Sequence, residues 1–304
     1  MAMDLHEFER DNSINHIVQS EIPEICKTEP CCFGIDEAGR GPVLGPMVYG
    51  ICYCPISQNE QLAEMGFADS KTLSEEQREA LFSKIDEAKH FIGYKTDIIS
   101  PNTISNDMLK RSKRSLNQIS KDSAVGLLKL TLEHGVNVKE VYVDTVGDAG
   151  KYQEYLKGIF PDLEITVTPK ADAKFPIVSA ASICAKVCRD RTVKAWKFSE
   201  GLDEFHGLAY GSGYPNDPAT KQWLADVMDP VFGFPTFVRF SWSTADKILE
   251  DKAIPVNWED EDEAENYTKG TQSLKNFFGA KSSDPKLKKH QFFNERNLKL
   301  VTDF

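Results

Sequence analysis

The stretch Cys31-Cys32-Phe33-Gly34-Ile35-Asp36-Glu37-Ala38-Gly39-Arg40-Gly41-Pro42 constrains this chain more than any other. A short run of apolar and small residues ends on two adjacent acids, and Gly-Arg-Gly-Pro follows almost at once. The run predicts a buried strand that delivers carboxylates to its carboxyl end. The glycines predict a loop whose bare backbone N–H groups can approach a ligand, because glycine lacks the Cβ that blocks approach. Acids at a strand end beside such a loop suit metal ions and a phosphate in one place. Taken alone, the same residues also describe an ordinary strand-to-turn junction, so the rest of the chain must decide.

Further strands are expected at Val48–Cys54, stopped by Pro55, and at Phe91–Ile98, ending near Ser100-Pro101. Val138–Val143, ending on Asp144, repeats the first strand's design, and Leu163–Thr168 follows. Ser74 with Gln77 makes a capping box for a helix whose apolar stripe is Leu81, Ile85 and Ala88. A helical region is expected over Ser105–His134, closed by Gly135, with its basic cluster in the first part. Helices over Asp148–Phe160, Ser179–Phe198 and Thr220–Val227 complete the pattern. Hairpin-like strands followed by strand–helix alternation predict an α/β or α+β fold with a mixed sheet. The expected division is a polar segment over 1–28, partly ordered, a catalytic domain over 29–200, a small C-terminal domain over 201–250, and a charged tail over 251–304.

Composition excludes little, but it does remove some classes. No apolar run approaches the roughly 20 residues that span a bilayer, and Met1–Arg10 lacks the apolar core of a signal peptide. A soluble intracellular protein is the expectation. Seven cysteines without a Cys-x-x-Cys pair predict buried free thiols rather than structural zinc. The net charge of −11 argues at first against a nucleic-acid partner. Charge is uneven, however: Lys110-Arg111-Ser112-Lys113-Arg114 is densely basic, and Glu259–Glu265 is densely acidic.

Three aspartates occupy comparable places: Asp36 and Asp144 at strand ends, and Asp172 just past a third strand. Neighbouring strands lie about 4.8 Å apart, so parallel neighbours would crowd these carboxylates. Crowded like charges need a cation or a proton. An all-oxygen donor set selects magnesium or manganese over zinc, and two such ions suit phosphodiester hydrolysis. In a regular strand Glu37 faces the other side, but the chain is turning there, which makes it a candidate fourth ligand. The bland alternative for any one of these acids is a helix cap or turn former.

Several long motifs now combine. They are Asp36-Glu37-Ala38-Gly39-Arg40-Gly41, Asp69-Ser70-Lys71-Thr72-Leu73-Ser74, Val143-Asp144, Lys170-Ala171-Asp172-Ala173 and Ser179–Lys186. With Gly211–Pro218 and Phe240-Ser241-Trp242, they make residues 30–250 or so resemble type 2 ribonuclease H, most of all the catalytic (A) subunit of the eukaryotic form. The resemblance implies a ribonuclease-H-like mixed sheet flanked by helices, with a small C-terminal helical domain. It implies cleavage of the RNA strand of RNA/DNA hybrids, and incision 5′ to single ribonucleotides in duplex DNA, leaving 3′-hydroxyl and 5′-phosphate ends. Asp36, Glu37, Asp144 and Asp172 become the catalytic, metal-binding acids, holding two Mg2+ ions, with Mn2+ as a substitute. Gly39, Arg40 and Gly41 read the ribose 2′-hydroxyl, the one group that separates RNA from DNA. Tyr214 stacks on the neighbouring deoxyribose, and Ser70 and Lys71 fall to backbone phosphates, with Lys170, Lys174 and Lys186 as further candidates. Arg111, Lys113 and Arg114 either hold the duplex or form a basic helix face. The chain has Ser115-Leu116-Asn117 where Asn-Leu-Asn is expected, which leaves Asn117 as the substrate contact there.

The resemblance further implies two noncatalytic partners in a heterotrimer, a nuclear location, and service in DNA replication and ribonucleotide excision repair. Phe232–Trp242 and the tail are the candidate partner surface. Thr271–Phe278 has the spacing of a sliding-clamp-binding box or of an amphipathic docking segment. Two other readings stay open on the residues: a noncatalytic binding subunit that kept the fold, and a phosphotransferase or DNA nuclease built on it.

Overall fold

Two strands that bury nearly every residue form the centre of the sheet, β2 (Cys31–Ala38) and β3 (Met47–Pro55). They run antiparallel, with Cys32 opposite Cys54 and Asp36 opposite Gly50. In the computed structural model, which describes residues 3–67, 73–145, 147–201 and 210–255, four more strands join them. These are β1 (His16–Gln19), β4 (Gly93–Ile99), β5 (Val138–Asp144) and β6 (Glu164–Thr168). The order across the sheet is β1-β4-β3-β2-β5-β6. The β1–β4, β4–β3 and β3–β2 pairs are antiparallel, whereas β2–β5 and β5–β6 are parallel. This is the mixed α/β sheet that the chain pattern predicts.

Parallel neighbours need helical crossovers. Short helices α1 (His6–Arg10), α2 (Ile25–Thr28) and α3 (Asn59–Glu64) precede α4 (Glu75–Glu87), which starts at the expected Ser74–Gln77 capping box. From β4 to β5 the chain passes through α5 (Pro101–Leu109) and α6 (Leu116–Glu133). From β5 to β6 it passes through α7 (Ala149–Ile159), capped by the Asp148 carboxylate on the Lys151 N–H. Helix α8 (Pro176–Lys194) then crosses one face of β2 and β3, and α9 (Pro218–Val227) and α10 (Ser243–Lys252) end the described chain.

The approach of α8 explains two strand glycines. A Cβ on Gly50 would come within 2.6 Å of the Ala181 carbonyl, and one on Gly34 would strike the Ile177 carbonyl. With Ser179, Ala180, Ala181, Ser182 and Ala185 on the helix, small residues on both partners let backbone lie against backbone. Successive β2 residues therefore divide: Cys32 packs on the α8 side, Phe33 and Ile35 on the α6–α7 side. Trp223, Leu224, Phe237, Val238 and Ala245 from the C-terminal elements belong to the same hydrophobic cluster as α8. All seven cysteines are free and buried, as expected. Among the described residues no helix is long and apolar enough to cross a membrane.

Several expected boundaries move. The first 28 residues hold an edge strand and two short helices, with Met3, Phe8 and Cys26 buried. Only Val18 of β1 is buried, so no alternating pattern is long enough to announce it. The helical region expected over 105–134 divides into two helices, and the first begins at Pro101. Ser100 caps α5 with Pro101 in its first turn, and the Ser115 hydroxyl accepts from the Gln118 N–H to start α6. The basic cluster is thus the connection between helices, not a helix face. Helix α8 begins three residues earlier than expected because Pro176 suits a first helical position.

Candidate active site

Asp36 lies on β2 and Asp144 closes β5. The parallel register pairs Ile35 with Val143, so the two acids are the next residues along adjacent strands. Asp172 sits in a 3-10 turn, Ala171–Ala173, entered through Lys170 in the left-handed region at φ 56°. That conformation costs a non-glycine residue roughly 1–2 kcal/mol, so its surroundings must hold it. Asp144 does so from below, its Oδ1 accepting from the Ala171 N–H at 2.9 Å. The Ser179 hydroxyl on α8 secures the other side by donating to the Asp172 carbonyl. One carboxylate oxygen from each of Asp36, Asp144 and Asp172 then lies within 4.8 Å of the others.

Such crowding shows in protonation. Burial, and after it the charge of Glu37, push the Asp36 carboxyl up to about 8, with Asp144 adding to the effect. A hydrogen bond from Ser182 opposes the rise, and Lys186 Nζ donates to that same Ser182 oxygen at 2.9 Å. Lys186, a candidate for phosphate, is therefore directed at the hydroxyl that serves Asp36. Three buried or half-buried carboxylates, two on strands and one on a braced turn, are hard oxygen donors whose mutual repulsion a divalent cation would relieve. The donor set fits Mg2+ or Mn2+.

Glu37 stands apart. Its neighbour across the ladder is Tyr49, and it is not among the three acids whose oxygens cluster. It lines an adjoining cleft of about 380 Å³ with Asp144, Arg40, Asn117, Lys121 and Tyr152. β2 continues through Ala38, so the turn expected at Glu37 begins later, while the charge of Glu37 is still felt at Asp36.

The glycine loop follows directly. Gly39 has φ +74°, and a Cβ there would strike Arg189 Nε and come within 2.8 Å of the Pro46 carbonyl. Arg40 reaches along the cleft to α6, donating to Ser120 Oγ at 2.5 Å and to Asn117 Oδ1. Two of the expected substrate residues are thus joined. Tyr214, 52% exposed, stands over Gly41, where a Cβ would come within 3.1 Å of its ring.

What holds this loop is a residue that the sequence alone does not single out. Arg239 is fully buried and has no acidic partner among the described residues. It donates instead to three carbonyls: Gly39 at 2.6 Å, Arg40 at 3.2 Å and Gly45 at 2.9 Å. Trp242 Nε1 donates to the Gly41 carbonyl at 3.0 Å and lies under the Arg239 guanidinium, 4.9 Å from its ring centre. Three consecutive carbonyls are tied back, and among the described residues the Arg40 and Gly41 N–H groups donate no intramolecular hydrogen bond. The one signal in the sequence is a lone arginine in the aromatic run Phe237-Val238-Arg239-Phe240.

Lys174 donates to Thr168 Oγ1 at 2.6 Å, beside the Asp172 turn. Ser70 and Lys71 lie outside the described residues, as does Thr271–Phe278.

A mixed sheet whose parallel strands end on clustered carboxylates, with a helix laid against its central pair, defines a ribonuclease-H-like hydrolase. Residues 33–245 match the family model of ribonuclease HII. The chain is 53% identical over 300 residues to the A subunit of ribonuclease H2 from Bos taurus, covering 99% of each. It superimposes on the ribonuclease H2 of Pyrococcus horikoshii OT3 with TM-score 0.60 and 34% identity, over 73% of this chain and 98% of that one. It is also similar to the RNase HII of Archaeoglobus fulgidus, solved in complex with PCNA, with TM-score 0.59 and 29% identity, over 76% of this chain and 99% of that one. The chain belongs to the ribonuclease HII family and is a ribonuclease H, a nuclease of the hydrolase class.

Proposed function

We propose that the chain cuts the RNA strand of RNA/DNA hybrids and incises duplex DNA on the 5′ side of single ribonucleotides. The carrying observation is that β2 runs from Asp36 straight into a loop with its carbonyls tied back and two N–H groups left for a ligand. A ribose 2′-hydroxyl is both donor and acceptor, and it suits those amides. Tyr214 crowds the Cβ position of Gly41 and offers a ring to the next sugar.

Asp36, Asp144 and Asp172 would hold divalent metal, Mg2+ or Mn2+, with Glu37 contributing from the neighbouring cleft, and two ions suit the donor count. Bound there, such ions supply stabilisation of developing phosphate charge and ease ionisation of the attacking water. The protein's own residues orient the substrate: Arg40 is braced on Ser120 and Asn117, and Ser182 with Lys186 steadies the Asp36 carboxylate. The products are a 3′-hydroxyl and a 5′-phosphate.

The chain is the catalytic member of a three-subunit nuclear complex serving replication and ribonucleotide removal. A stiff turn supports partner docking. Asp229 and Gly233 exchange backbone hydrogen bonds, and Asp229 Oδ1 accepts from the Val231 and Phe232 N–H groups. Phe232 is left 86% exposed and Val231 62%. Ile254, bonded to the Pro230 carbonyl, adds a third apolar side chain. Trp242, expected on the same surface, serves the Gly41 loop instead. Clamp binding through Thr271–Phe278 remains a separate proposal, to be tested by deleting that segment.

The deciding assay compares duplex DNA carrying one ribonucleotide, the all-DNA duplex and an RNA/DNA hybrid, in Mg2+ or Mn2+, with and without the two partner proteins. A single cut 5′ to the ribonucleotide with no cut in the all-DNA duplex is expected. Equal cleavage of both duplexes, or of neither, overturns the reading.

A further inference from the structure

The basic connection between α5 and α6 divides sharply once its partners are known. Lys110 pairs with Asp107 at 2.7 Å, and Arg114 pairs with Asp107 at 2.5 Å and with Asp122. Among the described residues, Arg111 and Lys113 make no ion pair, and both are exposed. These cations are thus left to solvent by a chain of net charge −11.

They lie on the connection that joins Met108 of α5 to Leu116 of α6, two residues that line a groove. Met108 and Leu116 on one side and Ser241 and Trp242 on the other line it together with Arg40 and Gly41, an open depression of about 460 Å³. Both walls are fixed to each other: the Phe240 N–H donates to Ser105 Oγ at 3.0 Å, and Ser241 Oγ meets Met108 Sδ at 3.3 Å. Arg114 braces the connection with its N–H on the Asp107 carbonyl at 2.8 Å. The groove adjoins the cleft that Glu37 and Asp144 line, with Arg40 common to both.

We infer that this groove, with Arg111 and Lys113 on the connection beside it, is a second track for nucleic acid that holds the backbone of the strand that is not cut. The inference rests on the proposed function. A 2′-hydroxyl projects into the minor groove of a duplex, so a loop that feels for it must face that groove. The opposite backbone then lies across it, beyond the loop from the acids. Cationic side chains over an apolar floor match that occupant: the cations take phosphates, and Trp242, Met108 and Leu116 offer apolar surface to sugar edges.

The test measures binding of an RNA/DNA hybrid to the full-length protein, in Ca2+ to block cleavage, as a function of salt. Each phosphate contact removed flattens the log–log slope by about 0.9. The double variant Arg111→Gln/Lys113→Gln should therefore lose close to 2 from the slope, and KM should rise about tenfold with kcat nearly unchanged. The variant Lys129→Gln/Lys139→Gln makes the same charge change on exposed side chains elsewhere and should leave the slope alone. Neutral methylphosphonates in the uncut strand should reproduce the effect in the wild type and add nothing to the double variant. An unchanged slope in the double variant, or the same behaviour only with the cut strand modified, overturns the inference. If the wild type neither binds nor cleaves the hybrid, the proposed function fails instead.

Discussion

The acid cluster and the Gly39–Gly41 loop adjoin one another, yet they are assembled in opposite ways. The acids are placed by sheet topology: Asp36 and Asp144 follow a parallel register, and Asp144 fixes the turn that carries Asp172. The loop is placed from far along the chain, by Arg239 and Trp242, some two hundred residues distant. Chemistry is therefore supported by the rigid sheet, and selection of the sugar by a long-range clasp. The two should fail separately.

Removing an acid should have the largest effect. Asp36→Asn or Asp144→Asn should lower kcat about 10³-fold or more, since several kcal/mol of transition-state stabilisation disappears. Folding should survive, because each change relieves repulsion. The sign of the pH dependence follows for Asp36. Its folded carboxyl sits near 8 and its ordinary value is 3.8, so the folded protein binds the extra proton between those values. Stability of the metal-free protein then falls as pH rises from about 4 to 8, and Asp36→Asn should flatten that fall in thermal melts. A variant that melts early at every pH would show the acids to be structural.

Arg239 comes next. Arg239→Lys keeps the charge but cannot present a planar fork to three carbonyls. Hydrogen bonds to charged groups are worth about 1.5–3 kcal/mol each, so losing one or two should cost about 3 kcal/mol of stability. Cleavage at a single ribonucleotide should drop about 10- to 100-fold, while Mn2+ binding by calorimetry stays as in the wild type. Weakened metal binding would mean that clasp and acids are one unit rather than two.

The same contrast explains what can be read without coordinates. Strand-end acids are legible because apolar periodicity and a terminal aspartate occur within one short window, as at Cys31–Asp36 and Val138–Asp144. The mixed sheet follows from the same windows. Glu37 is not legible in that way, because its side depends on whether β2 ends before or after Ala38, a matter of one residue. Arg239 is hidden because its partners are backbone carbonyls, which leave no trace in residue identity. The α5–α6 break is hidden because Ser115 reads as helix until its hydroxyl is seen to accept from Gln118.

Tyr214→Ala should act more gently and sharpen the boundary. The ring touches the loop at Gly41 but none of the acids is involved in holding it. A loss of about tenfold is expected on single-ribonucleotide duplexes, and less on long hybrids, where neighbouring riboses offer other 2′-hydroxyls to the amides. Equal losses on both substrates would make Tyr214 a general binding residue rather than a sensor of the sugar beside the ribonucleotide.

The smallest effect is expected at Lys95, the other fully buried cation among the described residues, which serves neither region. Its Nζ donates to Gln19 Oε1 and His134 Nδ1, each at 2.8 Å, across β4, β1 and the end of α6. Burial lowers its pKa from 10.5 to about 8. Below 8 the folded protein carries the full penalty of a buried charge; between 8 and 10.5 only the unfolded chain is protonated, so stability rises with pH. Lys95→Met removes that penalty and forfeits two hydrogen bonds, for a net gain of roughly 1 kcal/mol, or about 2 °C in Tm at pH 7. The gain should shrink as pH climbs from 8 to 10.5, with kcat and KM unaltered throughout. A loss of cleavage in Lys95→Met would show that burial of a cation, rather than the carbonyls it holds, is what the fold requires, and would remove the reason for setting Arg239 apart.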